Sequence, residues 1–144
     1  MEITLYNRQR KVRFALPWMR RLAAEALTAS LPHRARPDAP LAHLPEVEVT
    51  FVSDAAIARV HRDFMGIPGA TDVITFDHGE VIISTETART NAALYGRPLD
   101  EELARYIVHG LLHLNGYEDK EPADFARMQQ QQEQILAHCL HKVQ

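Results

Sequence analysis

The stretch "HGLLHLNGYED", from His109 to Asp119, carries two histidines four residues apart, then a glycine and an aspartate at intervals of three. On an α-helix, residues i and i+4 lie on one face about a turn apart, so the imidazoles of His109 and His113 point the same way. That geometry offers two nitrogen ligands to one tetrahedral metal ion. A third ligand on the next helical turn would meet the ion at a poor angle. A glycine at position 116 can end the helix in a left-handed turn, and "YED" then folds back so that Asp119 reaches the same ion.

The spacing H-x3-H-x2-G-x2-D is that of metzincin zinc sites with a carboxylate in third place. A zinc protease also needs a glutamate directly after the first histidine, as the base for the zinc-bound water. Position 110 is glycine, so peptidase chemistry is not expected. Glu118 is the nearest carboxylate in sequence that could serve as a base instead. The plainer alternative is that His109 and His113 are core or surface histidines and Gly110 a packing glycine. Gly116 and Asp119 favour the metal reading, because each answers a specific geometric need. His61, His138 and His141 show no comparable arrangement and read as surface or satisfied histidines, with His78 a weak second candidate. Cys139 reads as a small buried apolar residue.

These residues need elements to hold them. "LDEELARYIVHGLLHLNG" has Leu103, Ile107, Leu111 and Leu114 at helical spacing, with Asp100 as the expected cap and Glu101 and Glu102 suited to the first turn. Gly116 closes that helix. A last helix starts at Pro122, with Phe125, Met128, Gln132, Ile135 and Cys139 on its inner face. Upstream, "MEITLYN" has strand character and "WMRRLAAEALTASL" helix character. "PHRARPDAPLAHLP" reads as a proline-rich loop. "EVEVTFVS" alternates as a strand, with Val47, Val49 and Phe51 on one face. Ser53 caps the helix "DAAIARVHRDF", where Ile57, Val60 and Phe64 form a stripe. "TDVITF" and "EVIIS" read as a hairpin across "DHG", with Gly79 at a positive φ. "TETARTNAALYG" reads as a helix closed by Gly96. The expectation is an α+β fold: a single domain over residues 1–144, with a mixed β-sheet of about four strands flanked by helices and a metal site at the end of a helix.

Composition agrees with that class. The chain has 144 residues, 46% hydrophobic and 24% charged, as in soluble globular domains. No stretch approaches the roughly 20 apolar residues of a membrane span. The charged N-terminus does not read as a signal peptide. One cysteine excludes an internal disulfide, and a cytoplasmic location is expected. The net charge of −3 hides an asymmetry, with +6 over residues 1–36 and −9 over the remainder. A basic segment on an acidic protein is either a nucleic-acid contact or simply a solvated surface.

"HGLLHLNGYED" resembles the signature of the YbeY family of rRNA maturation factors, H-G-x-L-H-L-x-G-Y-D-H. "VTFVSDAAIARVHRDFMGIPGATDVITFDHGEVIIS" is similar to the family's upstream block, and "TETARTNAA" to the helix that follows. The resemblance covers nearly all of the chain, most firmly residues 47–119. It implies a single-strand endoribonuclease acting in maturation of small-subunit 16S rRNA and in ribosome quality control. It also implies a Zn2+ ion at His109, His113 and Asp119, a cytoplasmic location, and rRNA and ribosomal small-subunit components as partners. Two positions depart from the family. Asp119 stands where a third histidine is usual; a carboxylate is a legitimate zinc ligand, although a harder one. Met65 aligns with a position where the family usually carries an arginine; Arg62, one turn earlier, is the candidate substitute. Basic side chains from residues 8–36 are expected to steer RNA to the metal. Thr71 and Asp72 are expected to cap the strand entry and, secondarily, to line the groove. The alternatives are a ribosome-assembly binding factor with a structural metal and a metallohydrolase on another substrate.

Overall fold

In the computed structural model, which describes residues 1–144, four strands form one mixed sheet in the order β1-β2-β4-β3. They are β1 (Glu2–Asn7), β2 (Glu46–Val52), β3 (Val73–Phe76) and β4 (Glu80–Ser84). β1, β2 and β4 run parallel, and β3 closes the edge antiparallel to β4. Five helices complete the α+β fold: α1 (Leu16–Ser30), α2 (Asp54–Met65), α3 (Thr85–Tyr95), α4 (Leu99–Leu114) and α5 (Pro122–Lys142).

Strand alternation decides which face meets which helix. Val47, Val49 and Phe51 of β2 are fully buried, as their alternation requires, and they join Val81 and Ile83 of β4 under α1, α4 and α5. The intervening residues face the other way. Ile82 and its cross-strand partner Ile74 meet Ile57 of α2, making a smaller apolar cluster on the opposite face.

α4 is the central helix. From Glu102 to Gly116 every residue is buried except His109 and His113. Gly110 is what lets the helix lie so close to the sheet. A Cβ there would stand 2.8 Å from Val81 Cγ1 and 3.3 Å from Thr75 Oγ1, so no side chain fits at that position without movement.

Several local expectations hold. Ser53 Oγ accepts from Ala56 N at 3.2 Å, capping α2. Ser84 caps α3 in the same way and also donates to Asp54, joining the two helix starts. Cys139 is fully buried, and burial pushes its thiol pKa up to about 11.

Other expectations fail. Asp100 does not cap α4; the N-cap is Pro98, with no side-chain bond, because the helix starts earlier than its apolar spacing indicates. Glu102 is not a solvated first-turn acid either. It is 2% exposed and pairs with Arg105 and Arg97. Phe64 is 71% exposed, and its only ring contact with the sheet is edge to face with Phe76 of β3, centroids 5.5 Å apart. Phe125 is also exposed, at the rim of a cleft it shares with Arg105 and His109 of α4.

Candidate metal centre

The end of α4 follows the expected turn. Gly116 has φ +99°, Gly116 N donates to His113 O at 3.1 Å, and Tyr117 N donates to Leu112 O at 3.0 Å. This paired bonding satisfies the last carbonyls of the helix and reverses the chain. Asn115 anchors the turn from within, donating from Nδ2 to Ser30 O at 2.7 Å. Asp119 then returns toward α4, with Oδ2 3.6 Å from His109 Nε2.

The tautomer of the neutral His109 ring can be read from its partner. Gln132, on α5, donates from Nε2 to Glu133 Oε2 at 3.0 Å, so its Oε1 faces His109 Nδ1 at 2.8 Å. Nδ1 must therefore carry the proton and donate. In the neutral ring, Nε2 is then a lone pair aimed at a carboxylate. Two acceptors so placed need a proton or a cation between them. Two ligands of a tetrahedral zinc lie about 3.3 Å apart, close to the spacing observed. A histidine held through its other nitrogen is a common arrangement around metal ligands.

His109, His113 and Asp119 all line one cleft of about 370 Å³. As placed, no three His, Cys, Asp or Glu side chains stand close enough to enclose an ion. Completing the set needs a side-chain rotation, which the 41% exposure of Asp119 permits. The donors fit a divalent transition metal in type, and the tautomer of His109 leaves its Nε2 lone pair for one.

The opposite wall comes from α2 and β3. His61 and Met65 are i and i+4 on α2, and both line the cleft with Thr71. His61 Nδ1 bonds Gly69 O at 3.0 Å, so when neutral its Nε2 is the free acceptor. His61 was expected to be a surface or satisfied histidine; the only signal for it in the sequence is its place one helical turn before Met65. Met65 does stand at the site, and it brings no charge.

Arg62 does not replace that charge. It is turned away by one residue of helical rotation, pairs with Asp63 at 3.0 Å and does not line the cleft. Glu118 is separated as well. It lines a different cleft, where Oε1 lies 4.0 Å from Arg36 Nη1, because adjacent residues of the returning chain point to opposite sides. His78 is remote, stacked on Phe76 and 3.3 Å from Glu80. No lining residue comes from the basic segment 8–36. Arg8, Arg10, Lys11 and Arg13 follow β1, at the sheet edge opposite β3. Any steering by that segment acts at long range. Asp72 does what strand entry requires: its Oδ1 accepts from Val73 N at 2.7 Å.

Residues 4–140 match the family model described as Endoribonuclease YbeY. A protein of Limosilactobacillus fermentum with that name is 35% identical over 141 residues, covering 83% of this chain and 87% of its own. One from Myxococcus xanthus is 39% identical over 104 residues, covering 63% of this chain; the match spans 35% of that longer protein. A solution structure from Thermotoga maritima has a TM-score of 0.68, covers 99% of this chain and 91% of its own, and is 21% identical, a likeness of fold.

Proposed function

The chain belongs to the YbeY family, and on that premise we propose that it is a metal-dependent endonuclease for single-stranded RNA, acting on 16S rRNA of the small ribosomal subunit in the cytoplasm. The observation that carries the reading is the pairing of exposure and chemistry on α4. From Glu102 to the end of α4 the only residues not buried are two imidazoles, both of which line the cleft, and the chain reverses to set a carboxylate 3.6 Å from one of them.

His109, His113 and Asp119 are the residues that would hold Zn2+, whose contribution when bound is to polarise a phosphoryl oxygen and acidify water. Gln132 orients His109 by accepting a hydrogen bond from its Nδ1–H. His61, fixed through Nδ1 to the Gly69 carbonyl, presents its other nitrogen to the cleft and can exchange a proton with the reacting phosphodiester. Thr75 and Thr71 line the wall through which the strand must pass.

A chain with His113→Ala is expected to lose both bound zinc, read by elemental analysis, and cleavage of single-stranded RNA. Loss of zinc with unchanged cleavage would defeat the catalytic assignment. With His61→Ala, zinc content is expected to stay and cleavage to fall about 100-fold, the scale of a lost proton-transfer group.

One observation favours a second reading, a ribosome-assembly factor whose metal is structural. No lysine or arginine lines the cleft, so a developing phosphorane charge finds no side-chain cation there. Thermal stability that falls with zinc removal, while rRNA processing in cells persists, is the outcome that would select it.

A further inference from the structure

A second cleft, of about 360 Å³, lies on the other side of His109 and Asp119 and shares both residues with the first. We propose that this second cleft is a nucleobase subsite, taking one unpaired base of the strand whose adjoining phosphodiester lies at His109 and Asp119. The proposal rests on the part of that reading in which the metal cleft binds single-stranded RNA.

Two exposed aromatic rings line the second cleft, beside the buried Tyr106: Tyr95 at the end of α3, 60% exposed, and Phe125 in the first turn of α5, 49% exposed. Exposed rings in a cleft offer stacking platforms to bases, which all have a π-face. Tyr95 is steadied by Arg97, whose guanidinium carbon lies 5.1 Å from the ring centroid.

Charge excludes a phosphate from this cleft. Its walls carry Asp72, Glu102 and Asp119, against Arg105 alone. That guanidinium is already engaged by Glu102 and Glu133, and lies 3.6 Å from Glu101. An anion would meet net negative charge with no free cation, whereas an uncharged base meets no such penalty.

Hydrogen-bonding capacity is left over for the base edge. Asn91 donates one N–H to Tyr106 Oη at 2.8 Å, leaving its carbonyl oxygen open. Gln129 only accepts, from Gln132 at 3.5 Å, leaving its own N–H groups open. Asp72 has one carboxylate oxygen beyond the one bonded to Val73 N. The free oxygen of the Asp72 carboxylate would make a charge-assisted bond to a donor, which favours bases with an exocyclic amine, and uracil lacks one.

The test is an abasic scan. A short labelled single-stranded RNA, with each base removed in turn, is titrated by fluorescence anisotropy against the chain carrying His113→Ala. The unsubstituted chain with chelator serves as a second measurement. At one position, base removal is expected to weaken binding roughly 5- to 150-fold, the range of one base–aromatic stack. Uracil there is expected to bind less tightly than cytosine. Combining Tyr95→Ala with Phe125→Ala should abolish the position-specific penalty. Leu94→Ala, on the same helix end but outside the cleft, should not. A flat scan, or a penalty that survives the double substitution, overturns the subsite. Cleavage by the unsubstituted chain with Zn2+ is measured in parallel. Cleavage with a flat scan removes the subsite alone. Absent cleavage with a ring-dependent penalty removes the nuclease reading and leaves the subsite standing.

Discussion

Gln132 has more influence on the site than its position in a polar run indicates. It is 3% exposed, and its amide is oriented by Glu133 so that its carbonyl oxygen faces His109 Nδ1. Replacement by leucine keeps the volume but removes the acceptor, so His109 can turn or change tautomer. Metal affinity is expected to fall 10- to 100-fold, the range seen when a ligand's outer partner is lost. Competition with a chromophoric chelator measures this, with circular dichroism checking that the helices remain. Gln132→Glu keeps an acceptor and should retain most of the affinity. An affinity unchanged by leucine would show that the hydrogen bond does not orient the ring.

At the scale of elements, the contact of α4 with β3 and β4 sets how deep the imidazoles sit. Gly110 permits that contact, and the same glycine stands where a protease would carry its base. Gly110→Ala gains about 1 kcal/mol of helix propensity. It also forces a methyl to within 2.8 Å of a stiff valine on the sheet. Overpacking of this kind costs typically 1–3 kcal/mol. Net destabilisation is therefore expected in urea titration, and Val81→Ala in the same chain should recover part of it. A Gly110→Ala chain more stable than the original would mean the helix can lift off the sheet freely.

Across the whole molecule, a chain of polar contacts ties the metal cleft to the interior. His109 meets Gln132, Gln132 meets Glu133, and Glu133 grips Arg105 through two bonds, at 2.9 and 3.0 Å. Arg105 then meets Glu102, which also bonds Arg97 and Tyr106. The hydrogen bond from Arg105 holds the Glu133 carboxyl below the usual range. Because the folded value is the lower one, the stabilisation is fully present above the ordinary glutamate value and is lost as pH falls from there through the lowered folded value. Glu133→Gln should therefore be less stable at about pH 7 and should lose less between about pH 7 and about pH 4. The effect is modest, since that carboxylate is half exposed. Glu102 is buried between two arginines, so Glu102→Gln is expected to cost about 3 kcal/mol at neutral pH. Paired denaturation curves at the two pH values measure both. An acid limb unaltered by Glu133→Gln would remove this group from the linkage.

The parts legible in the sequence were those governed by local rules. The four-residue spacing of His109 and His113, the left-handed Gly116, the alternation in β2 and the serine cap of α2 are each set within a few residues of chain, by helix pitch, strand pleat and backbone sterics. The β3–β4 hairpin was legible for the same reason, but not the insertion of β4 between β2 and β3, because strand order depends on how distant segments pack. His61, Gln132, Tyr95 and the Arg105 network belong to that second kind. Each gains its role from a side chain far along the sequence, and no periodicity records which way one element faces another. Glu118 and Arg62 illustrate the converse: both are neighbours of site residues in sequence, yet a single residue of chain rotation turns each away. The ligand types and their spacing were written in the chain; the walls of the cleft, and the tautomer of its first histidine, came only from the packing of α5, α2 and β3 around α4.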